Sequence, residues 1–243
     1  MKRYFFEIAY NGNEFFGWQI QPNASSVQQT IEDALTKLNA LKPVSIVGCG
    51  RTDTGVHASS YIFHVDLIES SSLDQLKYKL NKILPNSIAI KSIWEVSQDM
   101  HARFSAIKRT YRYFIHQEKD PFRDLFSTYY PLTVDIDKMN RAANHLIGIH
   151  DFTTFSKTNT DVKTHICEVF TAKWHKTVDG LFFEYTANRF LRNMVRATVG
   201  TLIDVGKGKI SEEDFLTIFH SLDRSKCGSS APPQGLFLYK IDY

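Results

Sequence analysis

Residues 47–58 read VGCGRTDTGVHA, an Arg-Thr-Asp triplet set among three glycines. Arg51 offers a permanent cation, and Asp53 a carboxylate that can act as nucleophile or base. Glycine weakens any strand or helix it interrupts. Gly48, Gly50 and Gly55 therefore predict an unusual backbone path or a close approach to something. Other chemistries fit the stretch poorly. Gly48-x-Gly50 opens a dinucleotide fingerprint, but Asp53 stands where the third glycine belongs and a strand follows where a helix should. The Gly-Lys-Ser/Thr of a phosphate loop is absent, as is a G-x-S-x-G elbow. Read alone, the stretch also suits a plain loop, with Asp53 in an Asx-turn and Arg51 in solvent.

Two further stretches carry chemistry. In AIKRTYRYFIH, residues 106–116, strand alternation puts Arg109, Tyr111, Tyr113 and Ile115 on one face. Lys108, Thr110, Arg112 and Phe114 take the other. Rings interleaved with cations suit nucleic acid, since rings stack on bases and cations hold phosphates. A half-buried strand with surface hydroxyls would read the same way. In ANRFLRNMVRATVGTLIDVG, residues 187–206, a helix from Arg189 to about Val205 would be wide and apolar. It would set Arg189, Arg192 and Arg196 along one stripe. An arginine shielded by such a helix needs an anion, and Asp53 is eligible; a solvated arginine face is the alternative.

The elements that must position these groups follow from periodicity. The first half reads strand, helix, strand, strand, helix, strand. RYFFEIAY is a strand, and the next helix carries Val27, Ile31, Ala34, Leu35 and Leu38 on one face. Ser25 with Gln28, or Ser26 with Gln29, would cap it. VSIVG and YIFHVDL flank the glycine stretch, a second capped helix stops at Pro85, and SIAIKSIWEV closes the half. The second half repeats the order. RTYRYFIH leads to a helix ended by Gly148, then a hairpin turning at Asp179-Gly180. The long helix, a capped helix from Ser211 and the strand GLFLYKIDY complete it. The expected fold is α+β: two ferredoxin-like βαββαβ halves, residues 1–105 and 106–243, with antiparallel sheets and a basic cleft between them.

Composition sets the outer bounds. The chain has 243 residues, 43% hydrophobic and 23% charged, with a net charge of +3, so any RNA-binding role rests on where the cations sit. Three scattered cysteines point to a reducing compartment, and no secretory leader or membrane span is legible; a cytoplasmic protein is expected. Nine histidines without paired spacing give no expectation of a metal, and no cofactor motif appears.

Together these stretches resemble the TruA family of tRNA pseudouridine synthases over nearly the whole chain. YNGNEFFGWQIQPNASSVQQTIEDAL resembles the N-terminal signature, GCGRTDTGVHA the catalytic loop and KRTYRYFI the aromatic strand. FLRNMVRATVG resembles the basic helix and APPQGLFL the C-terminal segment. Cys49 and Thr54 depart from frequent alanines, and Asn193, Ala197 and Gln234 also vary, none at a residue assigned to chemistry. The resemblance implies that Asp53 is the catalytic nucleophile, that Arg196 pairs with it, and that Tyr111 contacts the target uridine. It implies that Arg51 helps extrude the base, with Arg192 and Lys108 among the RNA contacts. The implied substrate is tRNA at positions 38, 39 and 40 of the anticodon stem-loop, bound by a homodimer without cofactor. A non-catalytic RNA-binding module is the alternative; it would keep the aromatic strand and have no use for Asp53.

Overall fold

The computed structural model describes residues 1–68, 72–158 and 162–243. Among them are ten strands and five α-helices in an α+β arrangement. They form two compact units, Met1–Ile107 with Phe237–Tyr243, and Lys108–Leu236.

The first unit runs β1 (Lys2–Tyr10), α1 (Val27–Leu38), β2 (Val47–Gly48), β3 (His57–Leu67), α2 (Leu73–Ile83) and β4 (Ile88–Val96). β1 lies between β3 and β4, antiparallel to both, and β2 pairs antiparallel with β3. Tyr4, Phe5 and Phe6 are consecutive and all buried, so β1 is covered on both faces. Ser26, not Ser25, caps α1, its hydroxyl accepting from the backbone of Gln29. Val27, Ile31, Ala34 and Leu35 of the expected face are buried, while Leu38 at the fraying end is exposed.

The second unit runs β5 (Lys108–His116), β6 (Thr128–Tyr129), α3 (Ile136–Asn144), β7 (Gly148–Asp151), β8 (Ile166–Thr177), β9 (Gly180–Ala187), α4 (Met194–Gly206) and α5 (Glu212–His220). Its antiparallel order is β5-β9-β8-β7, with β6 parallel to β5. Leu181, Phe183, Tyr185 and Ala187 alternate inward on β9 beside Tyr113 and Ile115 of β5. The hairpin turns one residue earlier than expected: Thr177 pairs with Gly180, leaving Val178 and Asp179 at the tip. Gly148 opens β7 instead of closing α3. Ser211 and Asp214 cap α5 reciprocally.

The C-terminal strand is β10 (Leu236–Asp242). Phe237 and Leu238 pair in parallel with His57 and Ala58 of β3, and residues from Phe237 onward belong to the first unit.

Candidate active site

In the first unit, the segment between β2 and β3 is pinned at several points along its backbone. Cys49 is buried and its amide donates to Ile62 O at 2.9 Å. The Gly50 carbonyl accepts from the Tyr61 phenol. Thr52 is buried, its hydroxyl 2.8 Å from the Tyr10 phenol and its carbonyl accepting from Trp18 N at 3.2 Å. Val56 N closes a turn onto Asp53 O at 3.1 Å, and Gly55 supplies its left-handed residue at φ 76°. Between these anchors Arg51 is exposed and Asp53 half-buried. A half-buried carboxylate is thus held on a fixed backbone, two residues from an exposed cation.

The supports come from the N-terminal signature. A Cβ on Gly12 would lie 2.0 Å from Val56 O, and one on Gly17 2.5 Å from Thr52 O. Trp18 stacks on Tyr61 with centroids 4.0 Å apart. His57, the first residue of β3, accepts from Gly12 N through Nδ1 at 3.0 Å. Periodicity alone did not find these buttresses; the signal was the Gly-Trp pair inside YNGNEFFGWQ.

In the second unit, Tyr111 is half-buried and meets Phe190 edge-on, centroids 5.0 Å apart at 85°. Phe190 also packs edge-on against buried Tyr185. Tyr113, on the same strand face, is structural. It is wholly buried, its phenol donates to Pro232 O at 2.9 Å and lies 2.6 Å from Thr128 Oγ1, and burial raises its pKa. The strand's cations have internal contacts: Arg112 with Glu184 at 2.8 Å, Arg109 with Asn188 O at 2.8 Å, and Lys108 over the Phe170 ring at 4.1 Å.

The arginine stripe is corrected. Asn193 has φ 67° in the left-handed region, and α4 begins only at Met194. Arg189 and Arg192 lie in the irregular approach, so the three arginines share no helical face. Arg192 is exposed and its carbonyl accepts from Lys157 N at 2.9 Å. Arg196 alone is helical, half-buried in the first turn of α4, with Nε donating to Ala231 O at 2.7 Å. A cation there sits at the positive end of the helix dipole, which favours acceptors around it.

Among the described residues, no group of three His, Cys, Asp or Glu could hold a metal, and no helix is long and apolar enough to cross a membrane. All three cysteines are free thiols.

A family model described as tRNA pseudouridine synthase matches residues 8–105 and 142–243. The chain belongs to the tRNA pseudouridine synthase family. It is 48% identical to tRNA pseudouridine synthase A of Porphyromonas gingivalis, over 100% of this chain and 98% of that protein. It is 47% identical to the protein of that name in Parabacteroides distasonis, over 100% and 96%. The Bacillus subtilis tRNA pseudouridine synthase A is 39% identical, over 97% of each chain. Within the family's match fall Asp53, Arg51, Arg192 and Arg196, while Tyr111 and Lys108 lie between its two stretches, inside the span shared with the full-length relatives.

Proposed function

We propose that this protein isomerises uridine to pseudouridine in tRNA, on the 3′ side of the anticodon stem-loop. The observation that carries the reading is Asp53, a carboxylate on a loop anchored at both sides, in a chain aligned end to end with relatives named for this activity. The reaction breaks the N1–C1′ bond, turns the uracil and joins C5 to C1′, while the C5 proton is lost and N1 regains one. No net oxidation occurs and no group donor is consumed, so the chain's own side chains suffice.

Glycosidases usually need a second carboxyl as acid, but uracil leaves as a delocalised anion and one carboxylate is enough. Asp53 acts at the sugar, by attack on C1′ or by assisting removal of the 2′ proton. Arg196 pairs with Asp53 and orients it through charge-assisted bonds. Tyr111 stacks on the detached base, supported from behind by Phe190. Flipping a base from helical RNA costs a few kcal/mol, and Arg51 fills the vacated space. Arg192 and Lys108 contact phosphate. The β4-β1-β3-β2 order supports a ferredoxin-like first half, and the wider reading is two such halves with a basic cleft, acting as a cytoplasmic homodimer.

The test is tRNA tritiated at uridine C5. Isomerisation releases tritium from an intact strand. Binding without release would leave only an RNA-binding module, and abasic sites or strand cuts would indicate hydrolysis.

A further inference from the structure

Residues 224–232 run as a strap along the first two turns of α4. A Cβ on Gly200 would lie 1.8 Å from Ser229 O, so the helix accepts the strap only at glycine. Gly228 N donates to Thr201 Oγ1 at 3.1 Å, and that hydroxyl donates in turn to Ala197 O at 2.9 Å. Ala231 grips one residue with both of its backbone groups. Its amide donates to Arg196 O at 2.9 Å, and its carbonyl accepts from Arg196 Nε at 2.7 Å.

Next to that grip, Ser230 ties the strap down. Its hydroxyl oxygen accepts from Asn193 Nδ2 at 2.7 Å and from Arg224 Nη2 at 2.9 Å. Asn193 is the left-handed residue just before the helix. The serine therefore joins the residue that starts α4 to the segment that holds its arginine. We infer that Ser230 is a positioning residue: through Asn193 and Arg224 it fixes the Ala231 carbonyl that sets the plane of the Arg196 guanidinium. With Nε committed to Ala231, a carboxylate meets Arg196 through the terminal nitrogens, end-on. An arginine free to turn about its long side chain loses that planar two-point contact.

The inference rests on the proposed pairing of Arg196 with Asp53, and the test separates the two. Single-turnover tritium release at saturating tRNA, tRNA affinity and the thermal midpoint are measured for Ser230→Ala, Ser230→Thr, Ser229→Ala and Arg196→Ala. Small misplacements of a catalytic group are costly, so Ser230→Ala should slow the saturated rate by about 10- to 100-fold with affinity within about twofold. Ser230→Thr keeps the hydroxyl and should restore the rate. Ser229→Ala, at an exposed neighbour, should react as the parent does. If Ser230→Ala does not fold, Asn193→Gly removes the same bond from its other end while tolerating the left-handed backbone, and should give the same selective loss. A normal rate in folded Ser230→Ala beside a slow Arg196→Ala would overturn the inference. So would failure of threonine to rescue, or affinity falling as far as rate. A normal rate in Arg196→Ala would overturn the pairing itself, and the strap's role with it.

Discussion

Tyr61 donates its phenol to the Gly50 carbonyl at 2.6 Å, holding the peptide that precedes Arg51 against β3. The ring is wholly buried and stacked on Trp18, so the donor has little freedom to leave. Tyr61→Phe keeps the ring packing and deletes that bond, at a cost of about 1 kcal/mol. Urea unfolding should show this loss. Single-turnover rate should fall further than tRNA affinity, because the loop that loses its tether carries Asp53. An unchanged rate would make the bond purely structural.

Asp53→Asn tests the nucleophile directly. Thr52 and Gly55 anchor the loop through groups this change leaves alone, so fold and tRNA affinity should persist. Turnover should drop by several orders of magnitude, as covalent catalysis implies. Clear tritium release from a preparation free of contaminating synthase would remove Asp53 from that role.

The arginines should separate by their surroundings. Arg196 is half-buried and held through Nε; Arg192 is exposed outside the helix. Arg196→Ala should depress the single-turnover rate far more than affinity, and Arg196→Lys should recover part of it. Arg192→Ala should weaken binding and flatten the dependence of log affinity on log salt by about one phosphate's worth. Normal turnover by Arg196→Ala at saturating tRNA, with Arg192→Ala defective, would reverse the assignment.

Much of this was legible in the sequence because local and tertiary signals agreed. Val27, Ile31, Ala34 and Leu35 mark α1 by spacing, and burial follows. The arginine stripe failed because periodicity carries no φ: FLRNMVR continues a helical pattern, yet Asn193 turns left-handed and its amide side chain bonds Ser230 instead. β6 and β7, of two and four residues, are too short to show alternation. The chain's return to β3 at Phe237 is a long-range pairing that no local window contains. The supports of the loop that carries Asp53 were visible only as a signature; why Gly12 and Gly17 belong there needs the carbonyls of Val56 and Thr52 in place.

His64 gives the first unit a defined acid sensitivity. It is buried on β3, its Nδ1 accepts from Ala102 N at 3.1 Å, and Arg3, bound to Asp66, lies close by. Burial first, then the charges of Arg3 and His101, push its pKa down from 6.5 to about 4, against an opposing pull from Asp66. Between those values the unfolded chain binds more protons than the folded one, so stability rises with pH across the window and is lost as pH falls from 6.5 to about 4. His64→Asn offers an acceptor near the Nδ1 position without titrating. Urea midpoints taken across that window should fall less steeply with acid in this variant than in the parent. Parallel curves would mean that His101, shifted in the same direction, or the carboxylates dominate.

Three glycines surround Arg51 and Asp53, and two of them have a structural reason to be there. Gly55 holds φ 76°, a backbone requirement of the turn. A Cβ on Gly48 would meet the Tyr61 hydroxyl at 2.0 Å and the Trp18 ring at 2.7 Å, both parts of a buried stack. Gly48→Ala should therefore destabilise by about 1–3 kcal/mol through overpacking. Gly50 has neither reason: its φ is not left-handed and a Cβ there meets nothing within 4 Å. Internally, Gly50→Ala should be neutral or stabilising by up to about 1 kcal/mol, since it restricts the unfolded chain. If the loop comes close to a nucleotide at this point, the added methyl group should cost turnover or tRNA affinity in a protein that melts no earlier than the parent. Gly50→Val should cost more. Thermal midpoint, affinity and single-turnover rate for the three variants decide it. Full activity in Gly50→Val would mean that the RNA keeps its distance there.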